Sequence, residues 1–236
     1  MKLTIAIPTY DVNGLGAGML EESFMKMKKQ TFKDFNVIVS DNSDEISNIK
    51  NVCKKLSSDL NIKYYEHRGN KYSPSENTNN AIIKSDGELI KILCGDDLLY
   101  DKDSLQIIVD NFDKSTNWLF TSYVHSKNKL DYYRYYVPHM NDNIYIVNTL
   151  GTPSALTIRN KKNDKIDINN LFDKNLRYCY DCDAYYRLYK AFGNPKIIPN
   201  IGMINYIHDN SITSHTTGDM IKNEEEYILK KHGIIK

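Results

Sequence analysis

Short apolar runs alternate with longer segments of helical periodicity along the first half of the chain. The apolar runs are bounded by polar or turn-forming residues, which is typical of buried strands, and they lie at residues 3–7, 35–39, 62–65 and 88–93. Apolar residues at helical spacing predict the intervening helices at residues 20–29, 46–60 and 74–85. This alternation favours β-α-β units that share a parallel sheet. The first half is therefore predicted to be an α/β unit.

The third predicted helix has a capping-box start. Ser73 stands at the cap, Pro74 at the first helical position and Glu76 three residues after the cap. The second half of the chain is less regular. We predict strands at residues 118–123, 132–137 and 155–158, short strands within 197–206, and helices at 181–192 and 219–232.

Polar clusters follow three of the predicted parallel strands. They are residues 9–11 after the first strand, residues 41–44 after the second, and Asp96 with Asp97 after the fourth. Ligands of parallel sheets bind at the carboxyl ends of the strands, near a switch in strand order. The glycine patterns of dinucleotide-binding folds and of phosphate-binding loops are absent from the sequence. The clusters therefore predict a ligand site of another kind.

Adjacent carboxylates at Asp96 and Asp97 would repel each other unless a positive charge lay beside them. A hard divalent cation with oxygen ligands meets that need, and it commonly shares the phosphates of a nucleotide. A helix starting near Asp101 offers the alternative that one of the two acids is only a helix cap.

The composition suits carbohydrate as a ligand and gives no indication of nucleic acid. Nine of the 18 tyrosines lie in residues 132–136 and 178–189. A tyrosine offers a ring face with a hydrogen-bonding end that suits carbohydrate, although a general compositional bias would also produce such clusters. A formal net charge of +1 does not indicate a nucleic-acid partner. The four scattered cysteines favour reduced thiols. With no apolar stretch of transmembrane length and with Met1 leading straight into a strand, we expect a cytoplasmic protein.

Five segments carry a resemblance to a known family. They are LTIAIPTY at residues 3–10, VIVSDNSD at 37–44, residues 77–97 with GELIKILCGDD at their end, DCDAYYRL at 181–188 and HDNSIT at 208–213. In this order and spacing the segments resemble those of family 2 glycosyltransferases. The resemblance is firm over residues 2–100 and looser over 150–215.

The resemblance implies a GT-A fold, a nucleotide-sugar donor with a UDP-sugar favoured, a divalent Mg or Mn ion, and inverting transfer to a saccharide or lipid-linked saccharide acceptor. We expect one domain over residues 1–236: a mostly parallel nucleotide-sugar-binding half to about residue 100, a mixed acceptor half at about 101–215, and a C-terminal helix. That helix is also the segment expected to make any peripheral contact with the inner face of a membrane or any homo-oligomer contact.

The family's functional residues can be carried over to matching positions. The implied donor site comprises Pro8, Thr9, Tyr10, Asp41, Lys71, Asn79, Asp96 and Asp97. The implied metal ligands are Asp96 and Asp97, with His208 as a metal contact, a phosphate contact or an ordinary loop histidine.

The general base that inverting transfer needs is expected at Asp181, with Asp183 as the second candidate. A helix N-terminus favours the ionised carboxylate, although Asp181 could equally be only a cap.

Two positions depart from the family pattern. Cys94 replaces the first acid of the D-x-D motif, so the ion is expected to have one protein ligand fewer. Glu76 stands before Asn77 where family members often carry an arginine, and Arg68 or Lys71 would have to neutralise the diphosphate instead.

Two other functions compete with this hypothesis. A sugar-phosphate nucleotidyltransferase also places acids at the ends of a parallel sheet, but it normally has a basic glycine-rich loop after the first strand, and Gly14, Gly16 and Gly18 have no basic neighbour within that loop. A non-catalytic carbohydrate-binding protein would use the tyrosine clusters and would need neither a metal nor an acid at position 181.

Overall fold

A computed structural model describes residues 2–44, 48–161 and 164–235 of the chain. The first half contains the four predicted strands: β1 (Leu3–Thr9), β2 (Phe35–Asp41), β3 (Ile62–Glu66) and β4 (Leu89–Ile92). They pair in parallel in the spatial order β3-β2-β1-β4. All residues of β2 and β4 are buried, as expected for central strands of a sheet covered on both faces.

Three helices connect these strands: α1 (Gly16–Lys28), α2 (Ile49–Leu56) and α3 (Pro74–Ile83). The Ser73 hydroxyl caps α3 by accepting from the Glu76 amide over 3.3 Å, as predicted. α1 starts before the predicted residue 20, because the amide of Gly16 donates to the Asp11 side chain over 2.8 Å and so fixes an earlier start. The expected start of the second helix at Ile46 lies outside the described residues.

The second half extends the same sheet. Its elements are β5 (Leu98–Leu99), α4 (Ser104–Asp110), β6 (Trp118–Ser126), β7 (Tyr132–Tyr136), β8 (Leu156–Arg159), α5 (Tyr180–Phe192), β9 (Lys196–Tyr206) and α6 (Gly218–Lys231). β8 lies antiparallel between β4 and β6, and β9 runs parallel to β6 and antiparallel to β5. A mixed nine-stranded sheet therefore joins both halves, with β7 paired only to β6.

Two features of the second half differ from the sequence-based expectations. β9 is one eleven-residue strand that shifts register against β6, where short strands were expected. β5 was not predicted, since two residues are too short for a clear periodicity, and α4 begins at Ser104, three residues after the start that was expected near Asp101. In the described part of the chain, no helix combines the length and the apolar character that crossing a membrane requires.

Strand order reverses direction at β1. The chain proceeds from β1 outward to β2 and β3 and then returns to place β4 on the other side of β1. Such a switch opens a crevice at the carboxyl ends of the two central strands. Thr9 ends β1 and the acidic pair follows β4, so the fold brings both to this crevice.

Candidate active site

The ends of β1 and β2 form one wall of the crevice. Thr9 is the register partner of Asp41, and both are almost completely buried. One carboxylate oxygen of Asp41 accepts from the amide and the hydroxyl of Ser43, with the amide 2.9 Å away, and the other accepts from the Tyr64 hydroxyl over 2.8 Å. Tyr64 was not anticipated from the sequence. It fixes the rotation of a carboxylate that is suited to accept from a nucleoside base.

The neighbouring helix α3 stabilises this wall. The Asn77 side chain donates to the backbone oxygen of Thr9 over 2.9 Å and accepts from the Ser40 hydroxyl over 2.6 Å. Asn79 points elsewhere, because its amide group donates to the Phe172 oxygen over 2.6 Å and accepts from the Phe172 amide over 3.0 Å. The structure therefore places Asn79 in the scaffold between α3 and residue 172, away from the proposed donor contacts.

Loops after β2 and β3 bring basic residues to the rim. Lys71 forms an exposed ion pair with Asp44 over 2.7 Å. Arg68 contacts Glu66 over 2.8 Å and also donates to the Ser43 oxygen over 3.2 Å. Both cations predicted to replace the missing arginine are thus attached to the loop that follows Asp41. Surface pairs of this kind are weak enough to exchange for a phosphate.

Tyr10 and Glu76 complete the rim. Tyr10 packs edge-on against Tyr72 with ring centroids 4.8 Å apart, while Pro8, two residues earlier, is partly exposed. Glu76, which replaces the family's arginine, accepts from the amide and the side chain of Asn70 over 2.9 and 2.8 Å. It therefore orders the loop and does not substitute for a phosphate-binding cation.

Gly95 allows β1 and the acidic pair to approach each other closely. Its amide donates to the Pro8 oxygen over 3.1 Å, and a Cβ atom at this position would lie 2.5 Å from the Thr9 hydroxyl oxygen. Any larger residue would have to push Thr9 away. The glycine therefore holds Asp96 next to the end of β1.

The two acids after β4 have different environments. Asp96 is partly exposed, and its carboxylate lies 2.9 Å from Nε2 of His208. Asp97 is 2% exposed and accepts from the Tyr206 amide over 2.9 Å and from the Asn205 side chain over 3.2 Å. Burial, followed by the charge of Asp96, raises the pKa of Asp97 to about 7. The helix-cap alternative is wrong, since α4 begins after Asp103 and makes no side-chain cap contact.

A cation could be held at this point. Ligand atoms of Cys94, Asp96 and Asp97 lie within 4.8 Å of one another. Nδ1 of His208 is buried without a hydrogen-bond partner within the described ranges, while its other ring nitrogen faces Asp96. Burial raises the pKa of the Cys94 thiol far above its usual value, which makes it a poor ligand. The two carboxylates supply oxygen ligands of the kind that a hard divalent cation prefers.

Ser154 and Lys91 lie next to the acidic pair and form hydrogen bonds that stabilise its surroundings. The sequence alone did not indicate either residue. The Ser154 hydroxyl accepts from the Cys94 amide over 2.9 Å and also hydrogen-bonds Asp97. Lys91 is completely buried in β4 and donates to the Ser154 backbone oxygen. Burial lowers the pKa of Lys91 to about 7.

The base candidate Asp181 lies in the first turn of α5. One of its carboxylate oxygens accepts from the Cys182 amide over 2.8 Å, and the other accepts from the Asn148 side chain over 2.6 Å. Surrounding protein atoms crowd this partly accessible carboxylate, and this burial raises its pKa to about 6. The N-cap of α5 is Cys179, so Asp181 is not the cap residue. A carboxylate with this pKa is ionised near neutrality and basic enough to accept a proton.

Asp183, the second candidate, faces another direction. Its side chain is 0% exposed, with Nζ of Lys231 at 2.9 Å and Nε2 of His232 at 2.7 Å. Arg187 lies 3.9 Å from the same carboxylate. Asp183 is therefore held in an ion-pair cluster with the C-terminal segment.

Tyr180 directly precedes Asp181 at the start of α5. Burial raises the pKa of its hydroxyl well above the usual value, and the negative charges of Asp181, Asp96 and Asp97 act on it in the same direction. Nearby, the Tyr185 hydroxyl donates to the Gly151 oxygen over 2.9 Å, next to Asn148. Hydrogen bonds from Tyr185 and to Asp181 thus join α5 to the loop before β8.

Fold and site together define a GT-A type glycosyltransferase. A sequence profile of the family described as "Glycosyl transferase family 2" matches residues 4–191. The chain belongs to this family. The resemblance seen in the sequence is confirmed, and membership argues against the nucleotidyltransferase and the non-catalytic alternatives.

One curated relative is the GalNAc(5)-diNAcBac-PP-undecaprenol beta-1,3-glucosyltransferase of Campylobacter jejuni subsp. jejuni, which is 33% identical over 99 residues. The match covers 42% of this chain and 30% of that protein, so the aligned segment spans less than a third of the relative's length.

Solved structures show the same fold. S. aureus TarS in complex with UDP-GlcNAc superposes with a TM-score of 0.70 at 16% identity, covering 97% of this chain and 66% of that one. The mannosyltransferase PcManGT from Pyrobaculum calidifontis, in complex with GDP-Man and Mn2+, superposes with a TM-score of 0.60 at 16% identity, covering 89% and 58%.

Proposed function

We propose that this glycosyltransferase transfers a sugar from a nucleoside diphosphate donor to a saccharide acceptor with inversion at the anomeric carbon, and that Asp181 is the general base. The observation that carries the proposal is the partly accessible Asp181 carboxylate in the first turn of α5, which Asn148 orients over 2.6 Å in a family 2 glycosyltransferase whose acidic pair follows β4 at the carboxyl end of the sheet. A donor bound between these acids would have its diphosphate near Asp96 and its sugar carbon exposed toward Asp181.

The donor half of the site is assigned from the walls of the crevice. Asp41, oriented by Tyr64, accepts from the nucleoside base, and Thr9 with Tyr10 lines the same pocket. Arg68 and Lys71 approach the phosphates from the rim. A divalent cation held by Asp96, Asp97 and His208 would neutralise the diphosphate leaving group. UDP is favoured as the nucleotide because TarS, with the same fold, was solved with UDP and with UDP-GlcNAc.

In the chemical step, the base acts on the acceptor. The Asp181 carboxylate accepts the proton of an acceptor hydroxyl while the hydroxyl oxygen attacks the anomeric carbon. The bond to the diphosphate oxygen breaks on the opposite face of the sugar, which inverts the configuration. Asn148 keeps the carboxylate aimed at the acceptor throughout.

The acceptor is proposed to be a lipid-linked saccharide. The curated relative is named for transfer to a polyprenyl-diphosphate-linked oligosaccharide. Exposed tyrosines on β7 also suit a saccharide: Tyr132, Tyr133 and Tyr135.

A donor screen followed by product analysis tests the proposal. Thermal stabilisation is measured with UDP-, GDP-, CMP- and dTDP-sugars, each with and without Mn2+, because a ligand that binds only the native state raises its stability. We expect UDP-sugars to raise the melting temperature, and more strongly with Mn2+. The anomeric configuration of the transferred sugar is then read by NMR. Retention of the donor configuration, or stabilisation by no nucleotide sugar, would refute the proposal.

A further inference from the structure

The N-cap residue of α5 does not cap the helix. Cys179 occupies the N-cap position and makes no side-chain hydrogen bond to the helix. Helix starts leave backbone amides without partners, and these need an acceptor. Because Asp181 accepts from the Cys182 amide within the first turn, the amides at and directly before the N-cap are the ones that need an acceptor from another element.

Glu224 of α6 supplies that acceptor. Its carboxylate accepts from three successive backbone amides, those of Arg177, Tyr178 and Cys179, over 2.8, 2.9 and 2.8 Å. Three charge-assisted hydrogen bonds to one carboxylate fix the path of the chain directly before α5. The negative charge also lies at the end of α5 where the helix dipole favours it.

A second set of contacts fixes the other end of α6 to the same region. Lys231 bridges Asp173 and the buried Asp183 over 2.6 and 2.9 Å, and His232 lies 2.7 Å from Asp183. Between the two polar contacts, the completely buried side chain of Ile228 packs in a cluster with Leu176 and Cys179. The part of α6 from Glu224 to Lys231 thus contacts the segment before α5 and the first turn of α5.

We propose that α6 positions the catalytic end of α5, and that Glu224 is the positioning residue that keeps Asp181 aimed at the acceptor. This inference rests on the proposed role of Asp181. Asp181 follows Cys179 by two residues, so a displacement of the amides held by Glu224 moves the base directly. Misplacement of a reacting group by about 1 Å can cost about a hundredfold in rate. Donor contacts on β1 and β2 lie in other elements and stay in place.

Two variants of the same helix test the proposal. Glu224→Ala removes the acceptor, whereas Glu226→Ala removes an acid that makes only an exposed i,i+4 pair with Lys230. Hydrogen exchange at the amides of residues 177–179 is expected to accelerate by about tenfold in Glu224→Ala and to stay parental in Glu226→Ala. The kcat of Glu224→Ala is expected to fall about tenfold to a hundredfold with an unchanged donor KM. Glu224→Gln, which keeps one acceptor oxygen, is expected to be intermediate and guards against a general loss of folding.

The outcomes separate this inference from the proposed function. Parental exchange at residues 177–179 in both Glu224 variants would overturn the contact itself, whatever the activity. If Asp181→Asn is inactive while Glu224→Ala keeps the parental kcat, the positioning role is wrong and the base assignment stands. If Asp181→Asn is fully active, the base assignment fails, and with it the catalytic part of this inference.

Discussion

The side-chain nitrogen of Asn148 lies 2.6 Å from a carboxylate oxygen of Asp181 and donates a hydrogen bond to it. Asn148 is itself held on both sides. Its amide oxygen accepts from the Gly151 amide over 2.6 Å, and its nitrogen also donates to the Gly151 oxygen over 3.1 Å. A rigid donor thus fixes the direction of the proposed base and stabilises its ionised form.

Replacing Asn148 by alanine is expected to shift the pH dependence of transfer. The hydrogen bond favours the charged carboxylate, so its loss raises the pKa of Asp181 above about 6. The base is active when deprotonated, and kcat falls as pH falls through this pKa. We expect the acid limb of the kcat profile to move to higher pH, with about a tenfold lower rate at pH 6. Asn143→Ala, in the same loop, is the control, and identical profiles for Asn148→Ala and the parent would contradict the prediction.

The contrast between α3 and Asn148 shows what the sequence could and could not predict. α3 was predicted because Ser73, Pro74 and Glu76 encode its start locally, and the structure places the cap at Ser73. The buried strands were also predicted from a local signal, because each one is a continuous run of apolar residues. Asn148 meets Asp181 across 33 positions, and Glu224 meets Cys179 across 45. Such contacts depend on the path of the chain, and a polar residue in a loop or on an exposed helix carries no local signal of them.

Asp96→Asn is expected to remove the effect of Mn2+ on nucleotide binding. The substitution keeps the shape of the side chain and removes the charge that faces His208. Calorimetric titration of the stabilising nucleoside diphosphate should show a Mn2+-dependent gain in affinity for the parent and for the loop control Asp209→Asn, but none for Asp96→Asn. Retention of that gain in Asp96→Asn would remove Asp96 from the metal site.

Tyr64→Phe is expected to weaken nucleotide binding in the absence of metal. The phenol donates to Asp41 over 2.8 Å, and without it the carboxylate loses its fixed orientation toward the base. We expect about a tenfold higher Kd for the free nucleoside diphosphate. The adjacent Tyr65→Phe should bind like the parent, and an unchanged Kd in Tyr64→Phe would argue against Asp41 as the nucleoside contact.

Gly95→Ala is expected to lower both stability and donor affinity. The added methyl group would lie 2.5 Å from the Thr9 hydroxyl, which forces β1 and the acidic pair apart. Overpacking of this kind costs about 1–3 kcal/mol of unfolding free energy. Gly18→Ala in α1 meets no atom within 4 Å and should be neutral or stabilising. Denaturant unfolding of both variants compares them directly, and equal stability would show that the close approach at Gly95 is not required.

Asp181 and Asp183 are two residues apart on α5, and two residues correspond to about 200° around a helix. Only one of them can therefore face the site, and the resemblance to the family favoured Asp181 over Asp183. Asp181→Asn is expected to lower kcat by about 10²–10⁴ with a near-parental melting temperature and donor affinity, because it removes a proton acceptor and keeps the side-chain volume.

Asp183→Asn is expected to lower the stability of the fold while leaving most of the transfer rate intact. It removes a fully buried carboxylate charge that faces Lys231 and His232, which should cost about 1–3 kcal/mol of unfolding free energy. Because Asp181 remains in place, the folded variant should keep most of its transfer rate at a temperature well below its melting point. Thermal unfolding and transfer rates of the two variants, measured side by side, decide the assignment. A stable but inactive Asp183→Asn together with an active Asp181→Asn would make Asp183 the base, and it would require the ion pairs with α6 to open during the reaction.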